Sequence, residues 1–288
     1  MVNTMQNALT IDVEDYFQVA ALAKWAPQAK WDDFELRVEQ NTNKILALCA
    51  ERDIKATFFV LGWIAERCPA VVRSIVEAGH ELASHGYSHQ LVYNQTPEVF
   101  RDETLRSKKL LEDIGGVEVL GYRAASYSIT KKSLWALDII AEAGFKYDSS
   151  IFPVRHDRYG IPDAVEVPHR LTTPAGHEIA EFPITALKLG SYKLPIAGGG
   201  YFRLFPYWFS KWGLKRVNAV QQQPFVFYLH PWEIDPEQPR LPATGLSKFR
   251  HYNNLEKCEG RLENLLAAFS FTSLHEVLIL KQLVDKNP

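Results

Sequence analysis

Short apolar segments alternate with amphipathic helical patterns along the first half of this 288-residue chain. The apolar segments, which have the composition of buried strands, cover residues 8–11, 56–61, 81–84, 117–122 and 145–147. The helical patterns cover residues 39–51, 69–78, 96–114 and 130–143, and Thr96 is placed to cap the third of them. Strands and helices that alternate at this spacing predict a parallel sheet or barrel of the α/β class.

The pattern changes after about residue 150, where Pro, Gly and aromatic residues become frequent and helical periodicity weakens. A clear buried strand returns at residues 225–229, and a periodic helix follows at residues 253–268. No repeat, low-complexity tract or linker interrupts the chain. We therefore predict a single domain over residues 1–288, with an elaboration at about 150–288.

Composition excludes several classes of function. The formal net charge is -2 and no Lys/Arg block forms a stripe, which argues against a nucleic-acid partner. No run approaches the about 18 apolar residues of a membrane span. Cys49, Cys68 and Cys258 are too few and too far apart for a disulfide framework or a metal site. Residues 1–9 lack the pattern of a signal peptide, so we expect a cytoplasmic protein. A homo-oligomer is compatible with the sequence.

Five polar residues share one placement along the predicted strands. Each lies at or just beyond the carboxyl end of a strand: Asp12, His85, Arg123, Asp148 and His230. In parallel α/β barrels the chemistry gathers at that face. The set therefore predicts one site, although Asp148, which precedes Ser149-Ser150, is equally placed to make a local Asx turn.

A histidine pair and an acidic cluster indicate a metal centre. His85 and His89 are four residues apart, and Asp12-Val13-Glu14-Asp15 follows the first strand. Two imidazoles and one carboxylate leave coordination positions open, which is typical of a hydrolytic site. This donor set suits Zn²⁺, and Co²⁺, Ni²⁺ or Mn²⁺ could use the same ligands.

The order of these motifs resembles that of the polysaccharide deacetylases of the NodB-homology class, carbohydrate esterase family 4. The matching motifs are Thr10-Ile11-Asp12-Val13-Glu14-Asp15, His85-Gly86-Tyr87-Ser88-His89, Arg123-Ala124-Ala125-Ser126-Tyr127, Tyr147-Asp148-Ser149-Ser150 and Leu229-His230-Pro231. Further segments, Gly198-Gly199-Gly200-Tyr201-Phe202-Arg203 and Tyr228-Leu229-His230-Pro231-Trp232-Glu233, resemble deacetylases found with exopolysaccharide and exosortase loci. The resemblance implies a distorted (β/α)7-type barrel with loop and C-terminal insertions. It also implies a metal-dependent hydrolase that removes N-acetyl groups from N-acetylhexosamine units of a polysaccharide or glycan precursor.

The same resemblance implies the metal ligands. His85 and His89 would be joined by a carboxylate, which in the family usually comes directly after the catalytic base. Here that position is Val13, which cannot ligate. Glu14 is favoured as the ligand, because alternate residues beyond a strand can return to one face, and Asp15 is the alternative.

The family's catalytic roles fall on four further residues. Asp12 would be the general base, and Arg123 would pair with it and orient it. His230 would protonate the leaving amine. Asp148 would orient His230 and raise its proton affinity.

Substrate contacts are expected from residues near these motifs. A backbone N–H of Ser126 or Tyr127 would hold the oxyanion, and both residues would contact the substrate. Tyr201 and Trp232 would also bind the carbohydrate. His156-Asp157 could bind substrate as well, or could hydrogen-bond within its own loop.

Two rival functions stay open on the sequence alone. One is hydrolysis of a small amide, as in allantoinase-like relatives of the same fold. The other is a catalytically decayed glycan-binding protein, for which the departures at Val13 and Ala125, where the family has a carboxylate and commonly a Pro, are the support.

Overall fold

The computed structural model describes residues 5–156 and 158–286. Its strands are β1 (Gln6–Val13), β2 (Thr57–Val60), β3 (Glu81–Ser84), β4 (Gly121–Tyr122), β5 (Tyr147–Asp148), β6 (His169–Thr172), β7 (Glu178–Glu181), β8 (Ala186–Leu189), β9 (Tyr192–Pro195), β10 (Val226–Leu229) and β11 (Ser270–Thr272). Its α-helices are α1 (Val38–Ala50), α2 (Gly62–Arg67), α3 (Pro69–Glu77), α4 (Pro97–Gly115), α5 (Trp135–Glu142), α6 (Gly199–Leu204), α7 (Tyr207–Val220), α8 (Gly245–Tyr252), α9 (Leu255–Ala268) and α10 (Leu274–Leu280).

The large sheet has the order β10-β1-β2-β3-β4-β5-β7-β6. Each pair from β10 to β7 is parallel, β6 is antiparallel to β7 at the edge, and β11 pairs in parallel with β1. The predicted α/β class with a parallel sheet is confirmed, and the strands form an open path from β10 to β6. Helices connect the parallel strands from β1 to β5, as right-handed crossovers require. The carboxyl ends of the strands therefore meet at one face.

The segment before α6 approaches the β10 edge of the sheet. Gly198 forms a parallel bridge with Tyr228 of β10, and the Tyr228 N–H donates to the Ala197 carbonyl at 3.0 Å. Gly198 has φ 141°, and a Cβ there would lie 2.0 Å from the Tyr228 carbonyl oxygen. Only glycine permits this close approach of two backbones.

Strand β1 is buried on both faces, and its alternation decides which residues can reach the site. Leu9, Ile11 and Val13 belong to the main hydrophobic cluster, which also contains buried side chains of α1 to α5, α7 and α9. Successive side chains of a strand point to opposite faces. Thr10 and Asp12 therefore lie on the other face, and Val13 is turned away from them.

The main differences from the predicted elements are at boundaries and in the second half. The Thr96 hydroxyl accepts from the Val99 N–H at 3.3 Å, so the predicted cap of α4 is confirmed. The strand predicted at residues 117–122 is reduced to Gly121–Tyr122. Strands β6 to β9 and helix α6 lie where the sequence showed no clear periodicity. Within the described residues, none of the helices has both the length and the apolar character needed to cross a bilayer.

Candidate metal and catalytic site

The predicted polar residues sit at the carboxyl face of the parallel sheet. Asp12 is the penultimate residue of β1, while His85, Arg123 and His230 directly follow β3, β4 and β10. Asp148 ends β5. Because β1 lies between β10 and β2, the first and last of the five motifs are adjacent in space although far apart in sequence.

The predicted metal ligands come together. One donor atom from each of Glu14, His85 and His89 lies within 4.8 Å of the other two. Glu14 Oε2 is 2.8 Å from His89 Nε2, yet it accepts no well-formed hydrogen bond from any residue that the structure describes. A buried carboxylate oxygen without a donor is costly unless a cation compensates it. The donor set therefore fits a divalent metal of the zinc type.

His85 is prepared to donate a lone pair. Its Nδ1–H donates to the Arg123 carbonyl at 2.8 Å, and since a carbonyl can only accept, the proton is on Nδ1. Nε2 is then left as the ligand atom, the arrangement usual for metal-binding histidines. Burial lowers the pKa of His85 to about 4, so the imidazole is neutral at physiological pH.

Glu14 is held in its place by a residue from the far end of the chain. The Trp232 Nε1–H donates to Glu14 Oε1 at 3.1 Å, and the indole stacks on the buried His251 ring at a centroid distance of 4.3 Å. Burial favours the neutral acid, but the electrostatic interactions with His89 and His230 outweigh it and hold the pKa of Glu14 well below its usual range. Trp232 therefore positions a ligand, a role that its sequence context did not reveal.

Asp15, the alternative ligand, is turned away from the histidines. One carboxylate oxygen accepts the Arg37 and Val38 N–H groups at 2.7 and 2.9 Å, at the start of α1, and the other accepts the Tyr16 N–H. Burial raises the pKa of Asp15 to about 6, against the effect of these hydrogen bonds. The Asp15 side chain thus binds the backbone at the start of α1. Glu14 is the carboxylate that lies with the two histidines.

This arrangement predicts that substitutions at two neighbouring carboxylates, Glu14 and Asp15, differ in their effect on metal binding. Loss of a hydrogen-bond partner behind a ligand weakens metal affinity by about 10–100-fold, and loss of a ligand should cost at least as much. We expect Glu14→Gln to weaken zinc binding by this amount and Asp15→Asn to leave it within a few-fold of the parent. Competition titration with a chromogenic chelator measures both. The reverse order would make Asp15 the ligand.

Asp12 and Arg123 form the buried ion pair that the motifs predicted. Arg123 Nη1 donates to Asp12 Oδ1 at 2.6 Å and to the Thr10 hydroxyl at 2.8 Å. Its Nε and Nη2 donate to the Ser149 carbonyl and hydroxyl. The Tyr127 hydroxyl lies 3.4 Å from Asp12 Oδ2. Asp12 therefore has a fixed orientation with one oxygen engaged by the guanidinium.

His230 is oriented by Glu233, and the prediction that Asp148 would do this is wrong. The His230 Nδ1–H donates to Glu233 Oε1 at 2.7 Å, and the other Glu233 oxygen accepts from Arg203 Nε at 2.6 Å. His230 Nε2 then faces Asp12 Oδ2 and Glu14 Oε1 at 3.9 and 3.7 Å.

The charges around His230 favour its protonated form. Burial disfavours the imidazolium, but the carboxylates of Glu14, Glu233 and Asp12 outweigh it and raise the pKa of His230 to about 9. Burial also favours a neutral Glu233, but Arg203 and His230 hold its pKa at about 2. No local pattern selects Arg203. Glu233, in contrast, follows His230 at the i,i+3 spacing of a capping box, and the His230 N–H donates to Glu233.

Asp148 makes the local turn that was its alternative interpretation. Its carboxylate accepts from the Ser150 N–H at 2.9 Å and the Ser150 hydroxyl at 2.6 Å. The Ser150 hydroxyl in turn accepts the Ala124 N–H at 2.8 Å. Asp148 thus supports the loop that follows Arg123, and burial raises its pKa beside the equally buried Glu181.

That loop carries the two candidate oxyanion donors. Ser126 and Tyr127 both have positive φ values, 50° and 54°, so the loop is strained where it passes the site. The Tyr127 N–H donates to the Ala124 carbonyl at 3.0 Å and is already used. The Ser126 N–H is therefore the candidate that the structure favours.

A cavity of about 410 Å³ opens beside His230. Four of the predicted substrate residues line it, namely Ser126, His156, Tyr201 and Trp232. Tyr127 does not line it: its ring is buried against Phe152 and Tyr228, and its hydroxyl reaches Asp12. The predicted substrate contact of Tyr127 is thus replaced by a contact to the candidate base.

His156 makes the loop hydrogen bond that was one of its two predicted alternatives, and it also lines the cavity. Its ring lies on Tyr159 at a centroid distance of 3.8 Å, and its Nδ1 accepts the Arg158 N–H at 3.2 Å, so it hydrogen-bonds within its loop while lining the cavity. Asp157, its predicted companion, lies outside the described residues.

Comparisons with known proteins divide the chain into two matched regions. Residues 29–147 match the polysaccharide deacetylase family, and residues 149–279 match a domain of unknown function, DUF3473. A peptidoglycan-N-acetylglucosamine deacetylase of Bacillus cereus is 27% identical over 148 residues, covering 47% of this chain and about half (52%) of that protein.

Two solved structures share the fold over nearly the whole chain. A Mycobacterium smegmatis protein assigned to the polysaccharide deacetylases has a TM-score of 0.62 at 18% identity, and covers 100% of this chain and 96% of its own. An allantoinase has a TM-score of 0.61 at 17% identity, with 96% and 91% covered. Proteins named for two different reactions therefore share this fold, and the chemistry of this chain has to be argued from its site.

Proposed function

Because residues 29–147 match the polysaccharide deacetylase family, we propose that this chain hydrolyses the N-acetyl group of an N-acetylhexosamine unit. The substrate class is taken from relatives such as the Bacillus cereus peptidoglycan-N-acetylglucosamine deacetylase. The proposal includes a divalent metal as cofactor and a glycan or glycan precursor of exopolysaccharide assembly as substrate, the latter on the motifs around Gly198 and His230.

One observation carries the proposal: a buried carboxylate and an imidazole lie close to each other beside the candidate metal ligand Glu14. Asp12 Oδ2 and His230 Nε2 are 3.9 Å apart, and Glu14 lies 3.7 Å from the same imidazole. Asp12 is not itself in the Glu14, His85 and His89 cluster, and its Oδ2, which the guanidinium does not engage, is available for proton transfer. Acyl hydrolysis needs such a pair, because water must lose a proton and the amine must gain one.

The chain's own groups account for the proton movements. Asp12, oriented by Arg123, accepts a proton from the attacking water. The water oxygen bonds to the acetyl carbon, and the negative charge moves to the carbonyl oxygen beside the Ser126 N–H. His230 then gives the proton on Nε2 to the amide nitrogen as the C–N bond breaks, which releases acetate and a free amine.

Glu14, His85 and His89 would hold the metal, which supplies Lewis acidity to the carbonyl and to the water. The departure at Val13 does not remove this capacity, because Val13 faces the helices and Glu14 provides the carboxylate. The structure thus offers no support for a decayed site on that ground.

The proposal is tested by acetate release from N-acetylglucosamine oligomers, with and without metal. We expect activity that a chelator reduces by at least about 100-fold and that Zn²⁺, Co²⁺, Ni²⁺ or Mn²⁺ restores. Allantoin serves as the comparison substrate. Turnover of allantoin without acetate release from any glycan would replace the proposal with small-amide hydrolysis.

A further inference from the structure

The cavity beside His230 is built largely by the region that follows the deacetylase match. Most of its lining belongs to residues 149–279, and the remainder includes the turn at Ala20–Leu22. Its volume of about 410 Å³ is in the usual range for small-molecule sites, about 300–1,000 Å³. It touches His230 and Trp232, so a molecule bound there adjoins the candidate acid and the residue that holds Glu14.

Exposed apolar side chains form part of the cavity lining. Leu204, Leu246 and Phe249 line it with 46%, 60% and 50% of their surface exposed. Leu91 and Val19 add to the same lining. The hydroxyls of a glycan chain need hydrogen-bond partners, which aliphatic side chains do not provide. An alkyl chain, in contrast, gains about fourfold in affinity for each methylene that it buries.

The charges of the lining are positive. Arg158 and Arg250 are exposed and line the cavity, whereas Arg203 is neutralised by Glu233. No Asp or Glu belongs to the lining, as far as the structure describes the chain. Guanidinium groups match phosphate oxygens in geometry and charge. An anion and an apolar group are therefore both accommodated next to the catalytic residues.

We propose that this cavity binds a phosphate and an attached alkyl chain, so that the substrate is an N-acetylhexosamine joined through phosphate to a lipid. The inference rests on the proposed function for the position of the sugar at Asp12 and His230. Arg158 and Arg250 contact the phosphate, and the apolar side chains of Leu204, Leu246 and Phe249 cover the first carbons of the chain. Isoprenoid and acyl lipids share this chemistry.

The first test compares substrates that carry the phosphate, the alkyl chain, both or neither. N-acetylglucosamine 1-phosphate is prepared as its decyl, farnesyl and methyl phosphodiesters, beside decyl N-acetylglucosaminide and chitotetraose, all below micelle-forming concentrations. We expect the better of the decyl and farnesyl phosphodiesters to have a kcat/KM at least about 10-fold above those of the methyl phosphodiester, the decyl glycoside and chitotetraose. The farnesyl-to-decyl ratio distinguishes isoprenoid from plain alkyl substrates. Chitotetraose as the equal or better substrate overturns the inference and leaves the proposed function standing.

The second test uses matched variants. Leu246→Gln is paired with Leu280→Gln, because Leu280 is 58% exposed on α10 and lies outside the lining. Arg250→Gln is paired with Lys248→Gln, an exposed cation of the same helix α8 that is also outside the lining. Leu246→Gln should raise KM for the decyl phosphodiester and not for the methyl one, and Arg250→Gln should raise KM for the phosphodiesters and not for the decyl glycoside.

Direct binding keeps the two proposals apart. Calorimetry of the decyl phosphodiester should show the same losses of affinity in Leu246→Gln and Arg250→Gln, with both controls unchanged. If no compound releases acetate but binding follows this pattern, the proposed function fails and the cavity assignment stands. If the variants bind as their controls do, the cavity assignment is overturned.

Discussion

Replacing Asp12 by asparagine should lower the kcat of acetate release by about 10²- to 10⁴-fold, the usual contribution of a general base. Asparagine keeps the shape of the side chain and an oxygen that can accept the hydrogen bond from Arg123, which in the parent joins Nη1 to Asp12 Oδ1 at 2.6 Å. It cannot take a proton from water. Metal binding should be retained, because Asp12 is outside the Glu14, His85 and His89 cluster.

The substitution also removes the charge that compensates a buried guanidinium. Arg123 has no exposed surface, and breaking a buried ion pair on one side typically costs about 3–5 kcal/mol of stability. The thermal midpoint of Asp12→Asn is therefore expected to fall, and activity must be measured well below it. Asp15→Asn is the matched control: it removes a buried carboxylate three residues away and should lose stability while keeping most of its activity. A kcat within about 10-fold of the parent in Asp12→Asn would remove Asp12 from the role of base.

The sequence reveals the site as far as local rules reach. Strand ends, a His-x-x-x-His spacing and an acidic run bring His85, His89 and Glu14 to one place because parallel strands present their carboxyl ends together. The choice of Glu14 over Val13 follows from alternation along β1. The exclusion of Asp15 does not, because it depends on the start of α1 arriving 22 residues later at its carboxylate.

The partner of His230 shows the other limit. The family resemblance assigned that role to Asp148, but a short side chain beside Ser150 satisfies itself within its own turn. Glu233 reaches His230 from the next turn of the chain, and it is locked by Arg203 from α6. Nothing local to Arg203 indicates this, since its contact with Glu233 spans 30 residues and depends on how α7 and β10 are placed.

Glu233→Gln should lower kcat and move the basic limb of the pH–rate profile to lower pH. His230 must be protonated to act as an acid, so activity is present below its pKa and is lost as pH rises through it. Glu233 is one of the carboxylates that raise the pKa of His230 to about 9 against the effect of burial. Removing that charge lowers the pKa, and the loss of activity then begins at lower pH. The decrease in kcat should fall within the range of about 10²–10⁴ for acid–base groups.

The direction of the pH shift separates orientation by Glu233 from a merely structural role. Glutamine leaves Arg203 buried without a counter-charge, which alone would lower the thermal midpoint and the amount of folded enzyme. Neither effect shifts the basic limb of the pH–rate profile when kcat is calculated per folded enzyme molecule. Glu237→Gln, an exposed glutamate four residues further on, is the matched control and should change neither the limb nor the midpoint. An unshifted limb in Glu233→Gln, or an equal shift in Asp148→Asn, would return the partnership of His230 to Asp148.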